Sequence, residues 1–262
     1  MSDGFQHVAI IGMGLIGSSV ARAVRQNLPG TRISTSDHST DVRARVRQLG
    51  LADEVAECAA DAVSGADLVI LAVPVGAFAA VGAEIAASLA PGAILSDVGS
   101  VKQVAIDALQ PLLARDVLLI PAHPVAGTEE SGPDAGFATL FQDRWCILTP
   151  PDGMAAAPIA RLRAFWEALG SRVETMEPHH HDLVLAVTSH IPHLIAYSVV
   201  GTAADLEGVT RSEIIKYSAG GFRDFTRIAA SDPTMWRDVF LNNRDAVLEV
   251  LGRVSEDLAA LQ

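Results

Sequence analysis

The residue best suited to acid–base chemistry in this sequence is His123, in the stretch 121–132. An imidazole can accept a proton or a hydrogen bond near neutral pH. An apolar run, 117–121, precedes this histidine, and prolines and glycines punctuate the residues that follow it. We therefore expect His123 to lie directly after a buried strand, at the mouth of a ligand crevice. This placement favours catalysis, and a loop histidine without a chemical role is the alternative.

A second group of polar residues, 188–193, interrupts an otherwise apolar helical segment and contains His190 and His193. Two histidines three residues apart on a helix could bind a metal ion. No third ligand follows at a suitable spacing, so we expect no metal site. We interpret these histidines as interior polar groups that line a substrate pocket.

Arginines form the third group. Arg223 and Arg227 follow the glycine pair at 220–221, and Arg237 lies ten residues further along. In an acidic protein, arginines beside a glycine pair favour bidentate recognition of carboxylates. Ordinary surface ion pairs, which contribute little, are the alternative.

A glycine-rich turn near the start of the chain predicts a dinucleotide site. The apolar run 8–11 leads into Gly12, Gly14 and Gly17, spaced G-x-G-x-x-G, and a helical pattern follows to residue 27. In such a turn the first glycine permits the bend, the second admits a pyrophosphate, and the third lets helix and strand pack closely. The N–H groups at the start of the helix would hold the phosphates. A purely structural turn is the alternative.

An acidic residue, Asp37, ends the second predicted strand, 32–36, twenty residues after Gly17. A carboxylate at this place accepts hydrogen bonds from the adenosine ribose hydroxyls. It also repels a 2′-phosphate, and the nearest following arginine is Arg43. The pattern therefore favours NAD, with NADP as the alternative cofactor.

Alternating strand and helix patterns run through the first two thirds of the chain. Short apolar runs at 66–74, 93–98 and 117–121 are typical of parallel strands buried on both faces, and helical patterns lie at 75–89 and 101–113. Further strands are predicted at 145–149 and 171–176. After residue 177 only helical periodicity remains. We predict an α/β Rossmann-type domain, 1–177, with a doubly wound, mainly parallel sheet, followed by an all-helical domain, 178–262.

Composition excludes several classes of function. The 262 residues carry a formal net charge of −12, which is unsuited to nucleic acid. No run of eighteen uncharged apolar residues predicts a membrane span, and the N-terminus lacks the features of an export signal. The two cysteines, Cys58 and Cys146, are far apart in sequence, so we expect reduced thiols and a cytoplasmic protein.

Together these motifs resemble the prephenate/arogenate dehydrogenase family of tyrosine biosynthesis. The resemblance covers nearly the whole chain, with the motifs in order. The matching pieces are G-M-G-L-I-G-S-S at 12–19, D-V-G-S-V-K at 97–102, H-P-V-A-G-T-E-E-S-G at 123–132, S-H-I-P-H at 189–193, G-G-F-R-D-F-T-R at 220–227 and S-D-P-T-M-W-R-D at 231–238.

The resemblance implies an NAD(P)-dependent oxidative decarboxylation of prephenate or arogenate by an intertwined homodimer. It implies that His123 accepts a hydrogen bond from the ring hydroxyl of the substrate, and that Ser100 orients this hydroxyl and contacts the nicotinamide. Arg227 would bind a substrate carboxylate, while His193 and Trp236 would line the substrate site. Glu129 resembles a residue that gates or shapes the pocket.

The cofactor residues expected from the turn, the acid and the end of the third predicted strand form a longer set. They are Gly12, Gly14, Leu15, Ile16, Gly17, Asp37, Val73 and Pro74. The triplet His179–His181 departs from the single histidine of the family, and we interpret the two additional histidines as solvent-exposed. We also expect no fused mutase and no C-terminal regulatory domain, so tyrosine inhibition would act at the active site.

Two other functions compete with this interpretation. A β-hydroxyacid dehydrogenase also combines a Rossmann domain with a helical domain, but it usually relies on a lysine in the helical part. The lysines here, Lys102 and Lys216, lie in no matching motif. A catalytically silent NAD-binding sensor is the non-enzymatic alternative, and the intact Ser100, His123 and Arg227 argue against it.

Overall fold

A computed structural model of the chain describes residues 4–210, 213, 217 and 219–262. Its contacts divide the chain into two compact units, Met1–His181 and Asp182–Gln262. The sequence patterns place the domain boundary near residue 177, whereas the contacts divide the chain after His181.

The first unit is built on a six-stranded parallel sheet with the order β3-β2-β1-β4-β5-β6. Its strands are β1 His7–Ile11, β2 Arg32–Ser36, β3 Glu54–Val55, β4 Leu68–Leu71, β5 Ile94–Asp97 and β6 Leu118–Leu119. The central strand β1 pairs with β2 on one side and with β4 on the other. The strand order therefore reverses at β1, and open α/β sheets bind ligands outside the carboxyl ends of the strands at such a point.

Helices connect these strands. They are α1 Leu15–Asn27, α2 Thr40–Leu49, α3 Ala59–Ala62, α4 Phe78–Ile85 and α5 Gln103–Leu109. The side chain of Ser39 caps α2 by accepting a hydrogen bond from the Val42 N–H. The predicted helices at 75–89 and 101–113 are each α-helical only in part, with short 3₁₀ segments at Val75–Ala77, Ala86–Ser88 and Gln110–Leu112.

The core lies on both faces of this sheet. Along β1, Val8 and Ile10 join one buried cluster and Ala9 and Ile11 join another, because successive side chains of a strand point to opposite faces. The first cluster includes α1, and the second includes α4 and α5. All five residues of β1 are buried, which confirms the prediction of parallel strands covered on both faces.

A second, three-stranded sheet follows, with the order β7-β8-β9. Its strands are β7 Ala122–Pro124, β8 Trp145–Leu148 and β9 Arg172–Thr175, and α6 Ala156–Ala168 lies between β8 and β9. Strand β7 runs antiparallel to β8, which is parallel to β9. Cys146 and Leu148 of β8, with Trp166 of α6, join the cluster that contains α1.

The position of His123 corrects the sequence interpretation. His123 is the middle residue of β7, opposite Ile147, and does not follow a strand in a loop. Strand β7 is an edge strand, where Pro124, which lacks an N–H, is tolerated. A three-residue strand that includes a proline has no recognisable period in sequence. Strand β3 and helix α3 were also not predicted, because each is too short to show a strand or helix period in the sequence.

The described residues of the second unit are helical, as predicted. Its helices are α7 Pro178–Leu185, which begins in the first unit, α8 Ile191–Thr210, α9 Gly220–Ala229, α10 Pro233–Asn242 and α11 Arg244–Leu261. A π-helical turn, Ala186–His190, joins α7 to α8. Asp232 caps α10 by accepting from the N–H groups of Thr234 and Met235, with Pro233 as the first helical residue.

One helical segment is long and apolar enough to cross a membrane. Pro178–Leu206 has a mean hydropathy of 1.6 and is long enough to cross a bilayer. The core helices of soluble proteins can be as long and as apolar, so this result is weak evidence for a membrane. The expectation of no membrane span remains a prediction.

Candidate active site

The glycine-rich turn joins β1 to α1. Gly12 has a φ of +94°, and a Cβ atom at this position would lie 2.5 Å from the Ala72 carbonyl oxygen and 2.9 Å from Val73 Cγ1. Only glycine fits both the backbone conformation and this close approach. The turn crosses the end of β4 closely at Gly12, so a residue with a side chain does not fit at this position.

The other two glycines of the motif meet different surroundings. A Cβ at Gly17 would overlap the carbonyl oxygen of Gly12, so this glycine sets the close packing of α1 on the turn. At Gly14, in contrast, no described atom lies within 4 Å of a built Cβ. The structure thus leaves open space beside Gly14, as the approach of a pyrophosphate requires.

The first turn of α1 is available to an anion. Gly14 is its N-cap, and no side chain among the described residues caps it or places an acid in its first turn. Leu15 and Ile16 are half-buried there. The first N–H groups of a helix have no intrahelical partner, and they favour negative charge.

Asp37 lies directly beside this turn. Its carboxylate accepts hydrogen bonds from the Met13 N–H and the Ser39 N–H, each at 2.9 Å. A carboxylate has further lone pairs, so ribose hydroxyls can still bind. Arg43 is buried, and its Nη atoms donate to the carbonyl of Asp37 and to Glu57. These contacts direct its guanidinium to the protein and not to a 2′-phosphate, which favours NAD.

Further along the same edge of the sheet, the end of β4 approaches the residues after β5. Val73 is half-buried and Pro74 is exposed. A Cβ at Gly99 would lie 3.0 Å from Val75 and 3.1 Å from Phe78. Ser100 follows directly and is half-buried. The structure therefore brings Ser100 and the expected cofactor residues to one edge of the sheet.

His123 forms a buried pair with His181. The Nδ1 atom of His123 lies 2.9 Å from Nε2 of His181, and the two rings meet edge to face with centroids 5.1 Å apart. His123 is 8% exposed and His181 is fully buried. If the proton of the neutral His123 ring is on Nδ1 and is donated to His181, the other nitrogen, Nε2, can accept a hydrogen bond.

Sequence reasoning did not identify His181 as the partner of His123. The triplet His179–His181 was its signal, but a run of three histidines does not reveal which one is buried. His179 and His180 are exposed, which confirms that the two additional histidines lie in solvent. The N–H groups of both donate to the carboxylate of Glu177.

The loop between β7 and β8 is anchored on α1 and α2. The Phe137 N–H donates to Ser19 Oγ, Arg22 donates to the Pro133 carbonyl, and Arg45 forms an ion pair with Asp134. Glu129 lies in this loop and is exposed. The loop that leaves the His123 strand is therefore held in part by the helix that begins at the glycine turn and in part by α2.

The second unit brings together three residues predicted to bind substrate. The rings of His193 and Trp236 stack with centroids 3.6 Å apart. Burial and the nearby Arg227 guanidinium lower the pKa of His193, against the effect of its hydrogen bond to the Ser189 carbonyl. His193 is therefore neutral at neutral pH. Arg227 is exposed, and among the described residues it forms an ion pair with Asp224 at 4.0 Å.

A second layer supports this stack. His190 meets Trp236 edge to face, and the Asn243 amide lies 3.0 Å from His190 Nδ1 and donates to the Asp182 carbonyl. Asn243 is buried and was not singled out from the sequence, since its partners lie more than fifty residues away in the chain. Within the described part of the chain, no three His, Cys, Asp or Glu side chains group closely enough to hold a metal ion.

Both parts of the chain match models of one family. Residues 20–175 match "Prephenate dehydrogenase, nucleotide-binding domain", and residues 177–262 match "Prephenate dehydrogenase, dimerization domain". A cyclohexadienyl dehydrogenase of Zymomonas mobilis is 48% identical over 98% of this chain and 88% of its own length. A prephenate dehydrogenase of Bacillus subtilis is 35% identical over 92% of this chain and 65% of its own length.

A solved structure supports the same assignment. The crystal structure of prephenate dehydrogenase from Aquifex aeolicus, in complex with hydroxyphenyl propionate and NAD+, has a TM-score of 0.91 at 33% identity. The similarity covers 100% of this chain and 91% of that one. These matches confirm the resemblance found in the motifs and the Rossmann-type fold with a helical C-terminal part. The chain belongs to the prephenate dehydrogenase family.

Proposed function

We propose that this protein catalyses the oxidative decarboxylation of prephenate, arogenate or both, with hydride transfer to NAD. The observation that carries the proposal is the buried pair of His123 and His181 in a dinucleotide-binding fold of this family. The products are 4-hydroxyphenylpyruvate from prephenate and tyrosine from arogenate, each with carbon dioxide and NADH.

The chemistry needs a partner for the ring hydroxyl, a clamp for a carboxylate and an oriented cofactor. The carbinol carbon gives its hydride to the nicotinamide, the carboxylate on the quaternary ring carbon leaves as carbon dioxide, and the ring becomes aromatic. The hydroxyl loses its proton or shares it as the bond to oxygen gains carbonyl character. Aromatisation supplies much of the driving force, so positioning and one base are sufficient.

His123 suits the role of hydroxyl partner. Hydrogen bonding to His181 restricts its ring and its tautomer. With the proton on Nδ1, its Nε2 accepts the hydrogen bond from the substrate hydroxyl. Ser100 orients the same hydroxyl and contacts the nicotinamide.

We assign substrate recognition mainly to the helical unit. Arg227 binds a substrate carboxylate, because its guanidinium is exposed and its ion pair with Asp224, at 4.0 Å, is a loose one. His193 and Trp236 line the substrate site as a stacked pair. Glu129, in the loop after β7, shapes the entrance to the pocket.

We assign NAD to the turn formed by Gly12, Gly14 and Gly17, with Asp37 on the adenosine ribose. Leu15, Ile16, Val73 and Pro74 complete the cofactor residues. Support comes from the open space at Gly14 and from the engagement of Arg43 with Asp37 and Glu57.

We infer that the protein works as a homodimer in the cytoplasm. The C-terminal part matches a dimerization domain. The buried apolar cluster of the described second unit is small and consists of Ala186, Ile191, Val247 and Val250. Several leucines there are exposed, namely Leu206, Leu241, Leu248, Leu258 and Leu261. Exposed leucines on a unit with a small core support an interface between subunits, and nucleic acid or a membrane is not needed to explain them.

The β-hydroxyacid dehydrogenase alternative loses support from the structure. Lys102 is fully buried in the first unit and is bonded to Asp97. It is therefore not the helical-domain lysine that this chemistry requires. Lys216 lies outside the described residues.

The direct test is to incubate the protein with NAD and either prephenate or arogenate and to follow absorbance at the NADH band. We expect turnover with at least one substrate, and kcat/KM for the two gives the preference. NAD binding without turnover of either would instead indicate the silent sensor.

A further inference from the structure

A fully buried ion pair, Lys102 with Asp97, lies next to the catalytic residues of the first unit. Neither side chain is exposed to solvent, and the Lys102 ammonium donates to Asp97 Oδ2. The same ammonium donates to the Ala122 carbonyl at 2.8 Å. Burying two charges is costly and seldom adds net stability, so the pair calls for another explanation.

The bonds of this pair lead to the two residues assigned to catalysis. Asp97 is the last residue of β5, and its Oδ2 accepts from the Gly99 N–H at 2.8 Å, one residue before Ser100. Ala122 is the first residue of β7, one residue before His123. Strands β5 and β7 belong to different sheets, so Lys102 cross-links the two sheets between Ser100 and His123.

We propose that the Lys102–Asp97 pair is a positioning device that fixes the turn carrying Ser100 relative to the strand carrying His123. The proposal rests on the proposed function. Both side chains are fully buried, so they act through their neighbours. A displacement of about 1 Å between reacting groups can cost 10²-fold in rate, so the link matters for turnover even where the fold tolerates its loss.

The test removes both charges together. A single substitution would leave the other charge buried and unpaired, which is strongly destabilising, whereas a neutral pair of similar volume is often tolerated. In Asp97→Asn/Lys102→Met, the Asn side chain can still accept from the Gly99 N–H, and the bond from the ammonium to the Ala122 carbonyl is lost. We expect Tm to change by less than about 4 °C, an unchanged Kd for NAD, and a kcat reduced by about tenfold or more.

A matched control is Asp67→Asn/Arg161→Met. This ion pair, at 2.5 Å, also joins distant segments, but Asp67 lies before β4, at the opposite edge of the sheet from Ser100. We expect this control variant to have a changed Tm and an unchanged kcat.

A double-mutant cycle tests whether the pair acts through His123. In a His123→Asn background, the double substitution should reduce kcat by no more than about twofold, because the group being positioned is already absent. The proposal is overturned by an unchanged kcat in the first variant, by equal losses in both backgrounds, or by unfolding with loss of NAD binding. Wild-type turnover alone tests the proposed function, and the ratio of variant to wild type tests this inference.

Discussion

The imidazole of His123 is held by its contact with the ring of His181 and by its place in the edge strand β7. We expect His123→Asn to lower kcat by about 10²–10⁴-fold, the usual contribution of a general base. KM should change little, because asparagine occupies similar space and the carboxylate clamp remains. Steady-state kinetics checks this, with His180→Asn, an exposed neighbour of His181, as a control that should keep wild-type kcat.

Arg227 should act on binding. Arg227→Ala is expected to raise KM for the substrate by about tenfold or more, the loss of a charge-assisted hydrogen bond, with a smaller effect on kcat. Arg223→Ala, on the same helix and also exposed, is the matched control and should leave KM unchanged. Unchanged substrate binding in the Arg227 variant would remove the clamp from this account.

The same variant gives a pH-dependent readout at His193. Burial and Arg227 lower the pKa of His193 in the folded protein below 6.5, so the neutral ring predominates above pH 6.5. The folded protein therefore loses stability as the pH falls below 6.5, because the unfolded chain then binds the proton more readily. Removing the Arg227 charge should raise the pKa of His193, as followed by NMR titration of its ring. A pKa that stays the same or falls would contradict the proximity of the two groups.

At the scale of elements, the glycine turn meets two separate requirements. Gly17→Ala places a methyl group against the Gly12 carbonyl, so we expect a loss of about 1–3 kcal/mol in stability, seen as a lower Tm. Gly14→Ala has space for the methyl group and should leave Tm unchanged. That methyl group should instead raise the Kd for NADH by about tenfold, measured by fluorescence titration. Equal changes in Tm for both variants would contradict this division.

We expect the junction of β2 with the glycine turn to set the choice between NAD and NADP. Asp37→Asn keeps an oxygen that can accept from the Met13 N–H but removes the negative charge. We expect the ratio of kcat/KM for NADP to that for NAD to rise by about tenfold. Asp41→Asn, an exposed acid in the first turn of α2, should not change this ratio. A ratio unaffected by Asp37→Asn would mean that another group rejects the 2′-phosphate.

The sequence predicts the strands that are buried on both faces, but it does not predict the shortest strands and helices. Strands β1, β4 and β5 are buried along their whole length and are mainly apolar, because both of their faces lie in the core. Strand β7 is three residues long and was mistaken for a loop. Lys102 is charged, and its burial depends on Asp97 and on a carbonyl in another sheet, a contact that no local pattern reveals.

At the scale of the whole molecule, the order of the motifs carried most of the functional information. The glycine turn alone predicts only a nucleotide, whereas Ser100, His123 and Arg227 in their motifs predict the family. The roles of individual residues could not follow from spacing, because they depend on contacts such as His123 with His181 and His193 with Trp236. The first pair joins residues 58 positions apart in the chain, and the second joins residues 43 positions apart.

We propose that hydride transfer to NAD and decarboxylation are one coupled reaction at this site. The most direct measurement is the stoichiometry of NADH and carbon dioxide formed from prephenate, and separately from arogenate, by wild-type protein and by His123→Asn. We predict equal amounts of the two products from at least one substrate, at a rate that His123→Asn lowers by about 10²–10⁴-fold. NADH without carbon dioxide, carbon dioxide without NADH, or no product from either substrate would contradict the account.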